Sequence, residues 1–213
     1  MSVQHHPGEE LLLAYASGAS DEALSLVVAS HLVFCPGCRQ ALAALEATGG
    51  VLLNDLPPTA LGEKALSEVL ARLGEQPRRP VARKPVKSAI PGPLRSYVGD
   101  DFANVPWRRI APGIAYHPFF SRGATRAQLI RVAAGHGVAE HTHRGSEMSL
   151  VLEGGYTDET GQYAVGDFHT TSPEIVHTPT ADADGTCIIL AVTEAPLVFR
   201  GLLPRLIGKL AGF

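Results

Sequence analysis

Apolar residues in the first third of the chain recur at three- and four-residue steps, the spacing of a helix with one buried face. Residues 9–16 form a first short segment of this kind, opened by Pro7 and Gly8 and broken by Gly18. Ser20 is placed to cap a second helix that begins with Asp21 and Glu22, where acids favour a helix start. Leu24, Val27, Val28, His31 and Leu32 follow on one face. Pro36-Gly37 reads as a turn, and residues 38–53 as a third, alanine- and leucine-rich helix. Beyond Pro57-Pro58, residues 59–73 carry Leu61, Ala65, Leu66, Val69, Leu70 and Leu73 in a stripe, with Glu63, Lys64, Glu68 and Arg72 off it. That stripe suits a helix that binds a partner and equally one that packs on its own bundle.

The pattern then changes twice. Between residues 76 and 94, Pro77, Pro80, Pro85, Pro91 and Pro93 alternate with Arg78, Arg79, Arg83, Lys84 and Lys87. Proline at this density excludes helix and central strand, so a solvated, basic linker is expected. From residue 95 onward short apolar runs are punctuated by Gly, Asp and Pro, as in an antiparallel barrel or sandwich. Residues 127–132, 148–152, 163–168 and 187–192 are the candidate strands, and residues 202–210 a terminal helix. The expected architecture is two domains: an all-α helical bundle over residues 1–75 and an all-β barrel with a short C-terminal helix over residues 95–213.

Composition narrows the function classes. Of 213 residues, 45% are hydrophobic and 18% charged, enough for a real core. The formal net charge of −3 gives no basic field, so direct nucleic-acid binding is not expected. There is neither a signal-peptide pattern at the start nor an apolar run long enough for a membrane span. The three cysteines do not form a disulfide framework and fit a reducing compartment, so a cytoplasmic protein is expected.

Two clusters carry the chemistry. His31, Cys35 and Cys38 have the spacing H-x3-C-x2-C. Cys35 follows His31 by one helical turn, and the Pro-Gly turn returns Cys38 beside it. Two thiolates and an imidazole suit tetrahedral Zn2+, with His6 favoured over His5 as the fourth ligand. A redox cysteine pair is the competing reading. The second cluster is His141, His143 and Glu147, with His177 further on. Residues two apart on a strand face one side, and Glu147 starts the next strand. Three imidazoles and a carboxylate suit a divalent transition metal, such as Zn2+, without selecting among them. His117 and His169 read as surface or packing residues, His136 as loop, and Glu140 as a neighbour that could support His141. Cys187, at the head of an apolar strand, reads as a buried inert thiol, with redox sensing as the alternative.

The first cluster resembles the zinc-binding anti-sigma domain, which has an N-terminal histidine, the H-x3-C-x2-C motif and a fourth helix after its bundle. The resemblance covers about the first 75 residues. It implies that the bundle and fourth helix grip a sigma factor of the extracytoplasmic-function type. The second cluster resembles the cupin superfamily. Its first motif, G-x5-H-x-H-x3-E-x6-G, matches at every fixed position from Gly135 to Gly154. The second motif keeps Gly166 and His177, but Ser172, Glu174 and Ala181 replace its Pro, Gly and Asn. The two together, in this order, resemble ChrR-type anti-sigma factors. That family implies a non-enzymatic inhibitor of a sigma factor, released on oxidative stress of the singlet-oxygen type through the cupin-like domain. The runner-up is a metal-dependent cupin enzyme, dioxygenase-like, with a regulatory helical module.

Overall fold

The computed structural model describes residues 3–73, 88–195 and 197–199. Residues 76–87 of the expected linker and the expected helix at 202–210 lie outside them.

Four helices lie within described residues 3–73: α1 (Glu9–Ala16), α2 (Glu22–Phe34), α3 (Pro36–Asn54) and α4 (Ala65–Arg72). The cap of α2 is Asp21 rather than Ser20. The Asp21 carboxylate accepts from the Leu24 amide at 2.9 Å, while the Ser20 hydroxyl pairs with Ser25 at 2.8 Å. Pro36 and Gly37 do not form a separate turn. Pro36 occupies the first helical position of α3, where its missing N–H costs nothing. The expected fourth helix is shorter than its apolar stripe, and none of its side chains is buried.

Helix α2 is apolar nearly all round because it is covered on two sides. Val28 and Leu32 pack with Leu12 of α1 and with Cys35 and Cys38. Ala23, Leu26 and Val27 join Leu129, Leu150, Leu190 and Phe168 in one cluster with the strands. Ile90 and Leu94 belong to the same cluster, Leu94 in a 3-10 turn (Gly92–Leu94) that leads into α5 (Arg95–Val98). The last residues of the expected linker are therefore core. Their proline spacing suggested an extended tether, but two buried aliphatic side chains dock them.

Eleven strands follow: β1 (Arg108–Ala111), β2 (Ile114–Arg122), β3 (Thr125–Val132), β4 (His141–His143), β5 (Glu147–Glu153), β6 (Gly155–Asp158), β7 (Gly161–Ala164), β8 (Phe168–Thr171), β9 (Thr180–Ala181), β10 (Cys187–Thr193) and β11 (Leu197–Phe199). They form an antiparallel six-stranded sheet, β1-β2-β3-β10-β5-β8, with smaller sheets β7-β6-β9 and β11-β4. Strands β3, β5 and β10 cover three of the expected segments. The fourth, 163–168, is broken between β7 and β8 by a turn at Gly166 and Asp167. Gly166 sits at φ +92° against Phe34 and Val3, where a Cβ would clash with both. Strand β2 escaped the sequence reading because Pro118 lies within it, tolerated at a bulge in its pairing with β3.

Candidate metal centres

The first centre lies where three helix ends meet. Cys35 caps α3, Cys38 stands in its first turn, His31 closes α2, and His6 lies on the segment before α1. The four ligand atoms all fall within 4.8 Å of one another. The His31 Nδ1 donates to the Gly166 carbonyl at 2.9 Å. A carbonyl only accepts, so the proton sits on Nδ1 and Nε2 is a bare lone pair. That lone pair faces the Cys38 Sγ at 3.3 Å. The His6 Nδ1 lies 3.4 Å from the Cys35 Sγ and 3.5 Å from the Cys38 Sγ. Burial lowers the His31 pKa and raises that of the Cys38 thiol, whose shift the adjacent Cys35 increases. Sulfur and nitrogen lone pairs crowded together in a buried site fit a thiophilic cation. His5 is not part of this group; its ring packs on Tyr163 at 4.6 Å.

The N-terminal segment is pinned to the strands. The Asp167 Oδ1 accepts from the Gln4 and His5 amides at 2.6 and 3.0 Å, and its Oδ2 accepts from the Ala164 amide at 2.9 Å. The Phe168 amide donates to the His5 carbonyl at 3.1 Å. One β7–β8 turn thus fixes the chain beside His6 and the ring of His31.

The second centre lies among the strands. Residues two apart on β4, His141 and His143, are both buried, while Thr142 between them is turned away. His177 is held opposite by a backbone bridge to His141. The His177 Nε2 lies 3.1 Å from the His141 Nε2 and 3.2 Å from the His143 Nε2. His141 donates from Nδ1 to the Ala139 carbonyl at 2.9 Å, and His177 from Nδ1 to the Asp158 carboxylate at 2.8 Å. The His141 Nε2 is therefore bare and faces the His177 Nε2, an arrangement that suits a cation held between the rings. Burial, reinforced by His177, pushes the His141 pKa down to about 4, and burial pushes that of His143 down to about 3. Neutral imidazoles are the ligand form.

Glu147 is not gathered with the three imidazoles. Its Oε2 stands 3.2 Å from the His143 Nδ1, and its Oε1 accepts from Ser149 at 2.9 Å. Burial raises its pKa. The His143 Nδ1 is buried without a hydrogen bond, so the contact to Glu147 is close but misaligned. The expected four-ligand set takes the form of three converging imidazoles with a carboxylate beside one of them.

Further residues lie behind the second centre. Of the two readings of His169, surface or packing, the structure has the second: its Nδ1 lies 2.9 Å from the Tyr156 hydroxyl, and its ring stacks on Tyr163 at 4.2 Å. Asp158, His169 and His177 form a further group of possible ligand atoms. Burial alone would raise the Asp158 pKa, but hydrogen bonds from His177 and Thr160 outweigh it and hold the carboxyl well below its usual range. Asp158 ends a short hairpin strand, and no spacing in the sequence links it to His177. Glu140 is exposed. Cys187 is buried, and burial pushes its thiol up to about 12.

Residues 97–196 match the family described as the ChrR cupin-like domain. The chain is 41% identical over 207 residues to the anti-sigma-E factor ChrR of Cereibacter sphaeroides, covering 97% of each. A chain in the crystal structure of Rhodobacter sphaeroides SigE in complex with the anti-sigma ChrR is 38% identical, with a TM-score of 0.80. The match covers 90% of this chain and 99% of that one. No helix among the described residues is long and apolar enough to cross a membrane. With a curated relative matched along almost its whole length, the chain belongs to the ChrR anti-sigma factor family.

Proposed function

We propose that this protein holds a sigma factor of the extracytoplasmic-function type through its helical part, and that its cupin-like part reads an oxidative signal of the singlet-oxygen type that loosens the hold. One observation carries the first half. Among the described residues, nine of the eleven large hydrophobic side chains that are exposed fall between Val51 and Leu73. Such a concentration marks a binding surface rather than ordinary scatter. It includes Leu66, Val69 and Leu70 of α4, the stripe expected from sequence. The relative's crystal structure is of a complex with SigE, and a sigma factor is the partner that reading brings to this surface. As a member of its family the chain is a regulator rather than an enzyme.

In this reading residues 1–75 are the sigma-binding unit and residues 95–213 the sensing unit. Zn2+ at His6, His31, Cys35 and Cys38 would tie together the ends of α1, α2 and α3, a cross-link that a small helical unit needs for its stability. His141, His143 and His177 would hold a divalent transition metal, with Glu147 adjacent. The chain's own residues supply the connection between the two. Asp158 orients His177, His169 lies between Asp158 and Tyr163, and Tyr163 packs against His5, next to the zinc ligand His6. A change around His177 therefore reaches the zinc module through packed side chains. Release needs a difference in sigma affinity between the two states of this path.

The test is binding of the full-length protein to the sigma factors of its host. Leu66→Asp with Leu70→Asp is expected to weaken binding at least a hundredfold while leaving the fold intact. Failure of the unaltered protein to bind any of them would refute the inhibitor reading.

A further inference from the structure

Beside the second centre lies a cavity of about 360 Å³, within the size range of small-molecule sites. Its walls are aliphatic and aromatic, with Ile110, Val132, Val138, Ile189, Leu197 and Phe199 among them. The histidine, carboxyl and hydroxyl side chains that line it, those of His141, His177, Glu147, Ser149 and Tyr156, are tied by contacts to the histidine cluster. Two of these are already engaged, since the Ser149 hydroxyl donates to Glu147 and the Tyr156 hydroxyl bonds to His169. Water at roughly 30 Å³ per molecule would fill the space with about a dozen molecules, each seeking two to four partners. The walls offer almost none, so an apolar occupant is favoured over solvent.

The histidine cluster also defines the occupant's head. Three imidazole nitrogens face one another there, and the Glu147 carboxylate is turned to His143 and Ser149. A dication held by these residues would leave excess positive charge in a low-dielectric surrounding, where an anionic oxygen donor is favoured. We propose that this cavity binds a small aliphatic monocarboxylic acid, its carboxylate toward the histidine cluster and its chain along the apolar walls. The proposal deepens the sensing role and rests on the metal reading of His141, His143 and His177.

Calorimetric titration of octanoate into full-length metal-loaded protein tests it, with metal content measured on the same sample. Saturable binding at one site per chain is expected, with a negative heat-capacity change. Affinity should rise about threefold to fourfold per methylene from butanoate to octanoate. Val138→Trp, which fills part of the cavity, should reduce octanoate affinity at least tenfold without changing metal content. Ile110→Trp serves the same purpose on another wall. Octan-1-ol should bind at least tenfold more weakly than octanoate. Metal-loaded protein that ignores octanoate, an affinity independent of chain length, equal binding of the alcohol, or wild-type affinity in both tryptophan variants overturns the proposal alone. Absence of metal at the histidines overturns the metal reading and the proposal together.

Discussion

Asp167 belongs to a strand turn, yet its removal should damage the proposed zinc site more than 100 positions away in sequence. Its carboxylate is buried and accepts three backbone amides, those of Gln4, His5 and Ala164. Hydrogen bonds to a charged acceptor contribute about 1.5–3 kcal/mol each, and deleting the acceptor strands its donors. The Gln4 and His5 amides are only partly buried, so water recovers part of the loss. Asp167→Ala should therefore cost roughly 2–4 kcal/mol, or about 5–15 °C in Tm for a chain of this size. Residues 4 and 5 directly precede His6, the proposed fourth ligand, so its imidazole loses its fixed approach to Cys35 and Cys38. Loss of an orienting partner lowers metal affinity by about 10–100-fold. Thermal melting with chelator competition for zinc reads both effects. A variant that melts within about 2 °C of the parent and keeps its zinc equally well would show that the pinning is incidental.

Asp158→Ala removes the partner that fixes the His177 tautomer, so metal affinity at the strand centre should fall about 10–100-fold with zinc at the helical centre retained. Equal affinity by chelator competition would count against the orienting role. Cys187, with its thiol pushed up to about 12 by burial, should resist iodoacetamide at pH 8 in the native protein and react once unfolded. Rapid native labelling, located by peptide mass, would favour the redox-sensing alternative. In metal-stripped protein, burial holds His141 near 4, His143 near 3 and His169 near 4, against 6.5 when unfolded. The unfolded chain then binds more protons, so stability present above pH 6.5 should be lost progressively as pH falls toward 4. Denaturant melts at stepped pH check this; stability flat across that window would contradict it.

The helix pattern and both ligand clusters were legible in the sequence because their signals are local. His31, Cys35 and Cys38 lie within eight positions, and His141, His143 and Glu147 within seven. Short apolar runs also located β3, β5 and β10, which are mostly buried because they form the middle of the sheet. What escaped depends on distant pairing. Strand β2 runs through Pro118 because of a bulge in its pairing with β3, and segment 163–168 is broken at a glycine that lets Phe34 and Val3 approach. Asp158, Asp167 and His169 are polar residues whose partners lie elsewhere in the chain, so no spacing announces them. The resting orientation of Glu147 likewise follows from Ser149 and His143, not from its place in the motif.

Elemental analysis of the purified full-length protein, paired with sigma binding on the same sample, bears most directly on the two-centre account. Two ions per chain are expected, one lost when Cys35 and Cys38 are replaced and the other when His141 and His177 are replaced. A preparation free of metal that is still folded and still captures its sigma factor would contradict it.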